Sequence, residues 1–234
     1  MTLLVSPFYP LEAGTDEERR NHWEALRASR WVAERTAERL ADALCLFHER
    51  VEREALPAAL ADRMGLAFFG HGAEVPDRFS RDDDGFPKDQ SDLSEKYLAG
   101  GGSEALLDRH NAHLLAGRWL HAFACRAGTT LVDRVVQAGA TCAVGYRPAI
   151  LMEWTPEDTE GLPPEIHAAF VRLVTGVTVA LAAGIAEEGA LLDAIASEEG
   201  LIIQWCDENP GKAPGVGILA QQLMKPKVVR RQPG

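Results

Sequence analysis

A histidine and a cysteine follow two apolar runs of the sequence, close to the point where each run ends. His71 comes shortly after the run at 65–69, and Cys125 directly follows the run at 119–124. Both runs predict buried parallel strands, whose carboxyl ends meet at one edge of a sheet. If the two strands are neighbours, a thiol and an imidazole share that edge. They are the minimal set for acyl transfer: the thiolate attacks a carbonyl carbon and the imidazole moves protons.

The residues beside this pair favour the same chemistry. Gly72 follows His71 and permits close approach of the backbone to a substrate. Its amide, together with that of Cys125, could form an oxyanion hole. Arg126 and a helix predicted to begin just beyond it would both favour the thiolate. The His71 imidazole is expected to titrate near its ordinary pKa of about 6.5.

The other three cysteines fit a structural role better. Cys142 lies inside a predicted strand, and Cys45 and Cys206 lie in helical patterns, so all three are expected to be small buried hydrophobes. The sequence has four cysteines and no CxxC pair, which argues against a disulfide scaffold and against structural zinc.

Further polar groups are candidates for ligand sites. His110, His113 and His121 are close in sequence, but no third ligand is evident beside the first two, so neither a metal nor a cofactor is expected. Tyr146 and Trp154 flank the end of the third predicted strand and either line a substrate cleft or pack in the core.

Charge and hydropathy exclude several classes of function. The 234 residues include 24 basic and 35 acidic side chains, a net charge of −11, which disfavours nucleic acid and anionic membranes as partners. The N-terminus has no signal-peptide pattern. The most apolar stretch, 173–186, is too short to span a bilayer and predicts a buried helix. A cytoplasmic protein is expected.

The pattern of elements predicts one α/β domain over residues 1–234, with a mostly parallel sheet, helices on both faces, and a core at about 60–205. A tail at 226–234 is predicted to be flexible, although Val228 and Val229 could form an edge strand. The elements are a strand at 3–5, a helical region at 15–56 capped by Thr15 and Glu18, strands at 65–69, 119–124 and 141–146, helices at 130–136, 163–186 and 190–205, and a loop at 211–217.

A polar segment at 73–103 directly follows His71 and Gly72 in the sequence. It contains the acidic run 82–84 and the glycines 100–102, which are read as a solvated loop and a hinge rather than as metal or phosphate sites. Loops of this length are usually functional or disordered. We therefore predict a mobile loop at the rim of the site that controls activation or substrate choice.

The motifs around the pair resemble a known family. The segment 69–72, Phe-Gly-His-Gly, is similar to the strand-x-GHG motif of caspase-like cysteine peptidases, and 122–128 is similar to their apolar-apolar-x-AC-x-(S/T/A)-G motif. The histidine precedes the cysteine by about fifty residues, as in caspases. The segment 137–146 resembles the AGA strand of the bacterial CHAT branch, and 170–180 resembles its later helix. The resemblance covers about residues 60–205.

This resemblance implies a three-layer α/β/α caspase-like fold and a Cys–His dyad. Cys125 would be the nucleophile, His71 the general acid–base and Gly72 an oxyanion donor. Arg126 and Arg147 are candidates for a basic specificity pocket. CHAT proteins are often regulated effector proteases in bacterial defence, acting on a protein or peptide substrate. Because no sensor module is recognised in the sequence, an activating partner protein is expected.

Two other functions stay open at this point. The same fold could be a catalytically silent module that binds a partner. The chain could also be an unrelated doubly wound protein that binds a nucleotide or another small molecule.

Overall fold

Short apolar runs form the strands of a central sheet that is buried on both faces. A computed structural model describes residues 1–9, 15–47, 51–76, 94–99, 105–147 and 154–232. The strands are β1 (Thr2–Val5), β2 (Ala43–Leu46), β3 (Gly65–Phe69), β4 (Gly72–Pro76), β5 (Ser94–Ala99), β6 (Ala105–Leu107), β7 (Trp119–Phe123), β8 (Cys142–Tyr146) and β9 (Pro226–Arg230). Six of them form the sheet β2–β1–β3–β7–β8–β9, in which only β9 is antiparallel to its neighbour.

Seven α-helices accompany these strands in the described residues. They are α1 (Asp16–Arg39), α2 (Leu56–Leu60), α3 (Leu131–Gln137), α4 (Pro156–Glu160), α5 (Pro164–Ala182), α6 (Glu188–Glu208) and α7 (Pro214–Leu223). Thr15 and Glu18 form the predicted capping box at the start of α1: each side chain accepts a hydrogen bond from the backbone amide of the other.

Alternation along the strands divides the core into two layers. Leu4, Ala67 and Phe123 point to one face, where α1, α5, α6 and α7 pack. Leu3 and Leu66 point to the other face, against α2, α3 and β6. The predicted α/β class, with a mostly parallel sheet and helices on both faces, is confirmed, and it is compatible with three α/β/α layers. The clusters also include residues of β1, α1 and α7, which lie outside the range 60–205.

The predicted long polar loop after Gly72 is in part a β-structure. Strand β4 pairs antiparallel with β5, and β5 pairs with β6, so both ends of the segment belong to a second, three-stranded sheet. The predictions of a mobile loop, of the acidic run at 82–84 and of the glycine hinge at 100–102 lie outside the described residues.

Three elements differ from the prediction for identifiable reasons. The helical region expected to reach residue 56 ends at Arg39, and Ala43–Leu46 form β2 by pairing with β1, a tertiary contact that helical spacing does not reveal. The loop predicted at 211–217 gives way to α7 from Pro214, since proline is well suited to the first turn of a helix. Residues 226–230 form β9 against β8 rather than a flexible tail, as the alternative edge strand anticipated.

The apolar stretch expected to be a buried helix lies largely in α5. This helix has 19 residues and is long and apolar enough, by length and composition, to cross a membrane. Most of it is buried against the sheet and the neighbouring helices, as is typical of a core helix in a globular protein.

Two glycines in α5 and α6 provide a matched pair for testing this packing. A Cβ at Gly176 would lie 2.3 Å from Cγ2 of buried Ile195, which has little rotamer freedom in a helix. Gly176→Ala should therefore lower the free energy of unfolding by about 1–3 kcal/mol. A Cβ at Gly200 would have nothing within 4 Å, so Gly200→Ala should raise the free energy of unfolding by up to about 1 kcal/mol. Urea unfolding measures both, and equal effects would contradict the packing.

Candidate active site at the carboxyl edge of the sheet

The pairing of β3 with β7 brings His71 and Cys125 to one edge. The strands are parallel neighbours, and their last paired residues are Phe69 and Phe123, whose ring centroids are 5.9 Å apart. His71 and Cys125 each lie two positions beyond that pair. The condition that the two strands be neighbours is met, and the register places both residues just beyond the same end of the sheet.

Backbone contacts beyond the strand ends keep the two segments together. The Gly70 amide donates to the Phe123 carbonyl at 3.3 Å. A Cβ at Gly72 would lie only 2.2 Å from the carbonyl oxygen of Cys125, so the backbone of Gly72 rests directly on that of Cys125. From the second sheet, the Ala99 amide donates to the His71 carbonyl at 3.0 Å. Glycine at position 72 is therefore required by close approach to the backbone of Cys125, whereas the sequence suggested an approach to a substrate.

The chain turns sharply after Cys125. Arg126 is exposed and has φ +55°, a left-handed conformation that costs a non-glycine residue roughly 1–2 kcal/mol. The amide and hydroxyl of Thr129 both donate to the Arg126 carbonyl and stabilise the turn. Helix α3 begins at Leu131 with Thr130 at its N-cap position, close to the predicted helix at 130–136.

Two glycines hold this turn against the next strand. The Gly128 amide donates to the Tyr146 carbonyl at 3.0 Å, and a Cβ at Gly128 would lie 2.8 Å from the carbonyl carbon of Tyr146. A Cβ at Gly145 would in turn lie 2.9 Å from the Gly128 nitrogen. The segment that carries Cys125 is thus seated on the carboxyl end of β8, and neither glycine position leaves room for a side chain.

The His71 imidazole is largely buried, and this changes its expected titration. The pKa of His71 is lowered to about 4, chiefly by burial and in smaller part by the nearby His22, while a hydrogen bond to the His22 backbone acts in the opposite direction. Nε2 of His71 is buried and has no hydrogen-bond partner within the described part of the chain. The expectation of an ordinary pKa near 6.5 is therefore corrected: at neutral pH the imidazole is uncharged and able to accept a proton.

The other thiols lie in environments that suppress reactivity. Burial raises the pKa of Cys142 to about 11, and it also raises the pKa of Cys45 and of Cys206. Cys142 is 1% exposed and packs in the core as predicted. Cys45 lies in strand β2 rather than in a helix, and like Cys206 it packs against the core. Cys125 is partly exposed at the sheet edge.

Tyr146 and Trp154 are core residues rather than lining residues of a cleft. They are 1% and 2% exposed. The Tyr146 hydroxyl lies 3.3 Å from Nε2 of His121, whose Nδ1 lies 2.7 Å from the Thr178 hydroxyl. The prediction of Tyr146 as a substrate-binding residue is wrong, because β8 continues into the core up to its last residue.

Arg147, directly after Tyr146, is exposed and borders an open cleft of about 540 Å³. The other lining residues are Glu188, Lys225, Pro226, Lys227 and Val228. Lys227 also forms an ion pair with Asp133 and donates to the Thr129 carbonyl at 3.2 Å, so the cleft adjoins the turn that carries Cys125. Arg147 is thus placed at the predicted edge of the sheet.

The three histidines considered as metal ligands are not brought together. His121 is buried in the core, whereas His110 and His113 are exposed. Among the described residues no group of three histidine, cysteine, aspartate or glutamate side chains is arranged to hold a metal ion.

One residue at the edge was missed by the sequence reasoning. The His22 ring, on α1, stacks on the His71 ring with centroids 4.5 Å apart and planes inclined by 11°. His22 lies about fifty residues before His71 in a charged helix, where nothing in the local pattern distinguishes it from other surface positions. Only the packing of α1 over the sheet edge reveals the contact.

The contact between Gly72 and Cys125 can be tested by adding one methyl group. Gly72→Ala should separate the two segments, lower the free energy of unfolding by about 1–3 kcal/mol and change the rate at which iodoacetamide alkylates Cys125. Gly189→Ala is the control, since a Cβ there would have nothing within 4 Å. If Gly72→Ala behaves like Gly189→Ala in both measurements, the two segments are not in contact.

The buried histidines predict that stability falls at acidic pH. Burial lowers the pKa of His71 to about 4 and that of His121 to about 3, whereas both titrate near 6.5 in the unfolded chain. Between about pH 6.5 and 4 the unfolded chain therefore binds protons that the folded protein does not, and the free energy of unfolding decreases as the pH falls. Urea unfolding at pH 7.5 and 4.5 measures this decrease.

Two histidine variants test whether His71 contributes to this loss of stability at acidic pH. His71→Ala should show a smaller decrease than the unmodified protein, and His113→Ala, at an exposed position, should show the same decrease. An undiminished decrease in His71→Ala would contradict the burial of that imidazole.

Comparisons with known proteins do not assign a function to this chain. No family model matches the chain, and no match is found among the curated proteins. The geometry around His71 and Cys125 therefore carries the functional argument.

Proposed function

We propose that this protein is a cysteine endopeptidase in which Cys125 is the nucleophile and His71 the general acid–base. The observation that carries the proposal is the β3–β7 register, which brings the two residues to the same carboxyl edge of a parallel sheet, each two positions beyond the last strand pair. This edge is where ligands bind in open α/β sheets. Cys125 is reduced and partly exposed, and it is the cysteine that lies just beyond the end of β7 at this edge, whereas Cys142 is buried in the core.

The reaction would proceed by acyl transfer. Sγ of Cys125 bonds to the peptide carbonyl carbon while the uncharged His71 imidazole accepts the thiol proton. The C–N bond then breaks, and His71 returns that proton to the leaving amine. Water hydrolyses the thioester with His71 again as base, which releases the acid and regenerates the thiol. The Gly72 and Cys125 amides would stabilise the oxyanion.

The family-level part of the proposal is a caspase-like protease of the bacterial CHAT type. The motifs at 69–72 and 122–128 support it, since two of their three glycines, Gly72 and Gly128, are required by close backbone contacts. A regulated effector protease in bacterial defence, acting in the cytoplasm on a protein or peptide and switched on by a partner protein, is the corresponding biological role.

The state of His71 supports regulation of this kind. An imidazole with a pKa of about 4 carries no charge at pH 7 and cannot hold a thiolate by ion pairing. General acid–base catalysis is most effective when the pKa of the catalytic group lies near the working pH. The isolated chain would therefore be a slow protease, and a partner that exposes His71 to water or to a carboxylate would accelerate it.

The cleft beside Arg147 favours a second candidate function. Arg147, Lys225 and Lys227 surround an opening of about 540 Å³ at the carboxyl end of β8, with Glu188 as the acidic residue among its lining. In a doubly wound protein such an opening would bind a small anionic ligand, such as a nucleotide. A thermal-shift screen with nucleotides tests this, with Arg147→Ala as the variant that should lose any stabilisation.

Substitution of the two cysteines separates the protease from its alternatives. Cys125→Ala should abolish cleavage of an unfolded protein substrate, followed by mass spectrometry, while the fold is retained. Cys142→Ala should keep the activity and lose roughly 1 kcal/mol of stability, because it truncates a core side chain. His71→Ala should lower the rate roughly 10²–10⁴-fold, with His113→Ala as its control.

The outcomes that would contradict the proposal are specific. Activity in Cys125→Ala, or its loss in Cys142→Ala, would overturn the assignment of the nucleophile. If no cleavage is found with the unmodified protein, rapid labelling of Cys125 by an activated acyl probe, reduced in His71→Ala, would still support the dyad. Slow labelling that is indifferent to His71 would favour a silent binding module.

A further inference from the structure

The ring of His22 holds His71 from the side of α1. The two imidazoles lie almost parallel, with centroids 4.5 Å apart. Nε2 of His22 donates to the Tyr9 carbonyl at 3.0 Å, and the His22 backbone hydrogen-bonds to the His71 side chain. One residue of α1 thus contacts both the face and a nitrogen of the His71 ring.

His71 needs such support because the sheet no longer provides it. β3 ends at Phe69 and β4 begins at Gly72, so His71 lies in the short connection between two sheets. Its Nε2 is buried without a hydrogen-bond partner among the described residues. Rotation about the bond to an imidazole ring has broad, roughly two-fold minima, so a ring without a restraint at that nitrogen has two orientations available.

The Tyr9 carbonyl fixes the supporting ring in turn. Tyr9 follows β1, the strand next to β3, and its own ring meets the His22 ring edge-on at 5.2 Å. A carbonyl accepts only from a protonated nitrogen, so this hydrogen bond also defines the His22 tautomer, with the proton on Nε2. The stack is therefore anchored at both ends, by the chain after β1 and by the chain after β3.

We propose that His22 is a positioning residue for His71, and that its stacked ring keeps the His71 imidazole in a single orientation at the β3–β7 edge. The effect on catalysis rests on the proposed protease function. The effect on His71 itself does not, because ring orientation and protonation can be observed in a protein of any function.

Three variants distinguish the effect of the stacked His22 ring from the effect of its hydrogen bond to Tyr9. His22→Ala removes the ring, and His22→Phe keeps a flat ring while it removes the hydrogen bond to Tyr9. His167→Ala is the matched control: His167 contacts Trp31 edge-on at 6.1 Å, a similar ring contact on α5. NMR titration of the imidazole nitrogens follows His71 in each variant.

In His22→Ala the His71 pKa should move from about 4 towards the ordinary 6.5, since water reaches the ring, and in His22→Phe it should stay low. The hydrogen bond to the His22 backbone is kept in every variant, so only loss of the stacked ring in His22→Ala should make the His71 imidazole mobile and broaden its ring signals. An unchanged pKa and unchanged ring signals in His22→Ala would overturn the inference, whatever the protein's activity.

Kinetics test the consequence for catalysis. His22→Ala should lower kcat roughly 10–100-fold with little change in KM, because a small misplacement of a reacting group is costly. His22→Phe should recover most of kcat, and His167→Ala should match the unmodified protein. A full kcat in His22→Ala, with activity still lost in Cys125→Ala, would refute the positioning role and leave the protease standing. If neither Cys125-dependent cleavage nor His71-dependent labelling of Cys125 is found, the proposed function fails and the NMR result alone decides the inference.

Discussion

The parallel pairing between β3 and β7 determines the arrangement of the candidate site. Five residue pairs, from Gly65–Trp119 to Phe69–Phe123, set the register. A shift by one residue would reverse which face every side chain of β3 meets, and it would place apolar groups against the wrong helices. The burial of both faces therefore enforces the same register that brings His71 and Cys125 to one end of the sheet. The packing of the core therefore also determines where His71 and Cys125 lie, although neither residue belongs to the paired strands.

The edge of the sheet combines this rigidity with local departures from ordinary structure. Three close approaches, at Gly72, Gly128 and Gly145, seat the segments after β3, β7 and β8 on one another. Arg126 adopts a left-handed conformation beside the thiol, and a buried imidazole nitrogen lacks a hydrogen bond within the described residues. Strain and unsatisfied polar groups of this kind concentrate at functional sites, where surrounding contacts outweigh their energetic cost. The helices that cover the sheet contribute those contacts.

The sequence was informative wherever a local pattern decides the structure. The strands at 65–69 and 119–124 and the capping box of Thr15 and Glu18 were all predicted and confirmed. Elements that depend on tertiary contact were not. Strand β2 is a strand only because it pairs with β1, and the burial of Tyr146 depends on how far β8 runs into the core.

The pKa of His71 likewise depends on tertiary contacts that the sequence does not reveal. Its position followed from the apolar run before it, whereas its lowered pKa depends on burial and on His22, a residue of another element. No spacing within the sequence links α1 to the end of β3. A single sequence does not give the distances between side chains on different elements. At this edge of the sheet, those distances determine both the protonation and the orientation of the His71 imidazole.

The last strand of the sheet also bears on how the protein avoids association with its own copies. β9 is an edge strand, with one row of backbone amides and carbonyls paired to β8 and the other row facing outward. It begins with Pro226, which has no amide hydrogen, and it carries Lys227 and Arg230, which are engaged by Asp133 and Glu187. Proline and charged side chains are the usual obstacles to strand addition by another molecule. Without β9, the fully buried β8 would become the edge, and an apolar strand with unpaired backbone groups would be open to intermolecular pairing.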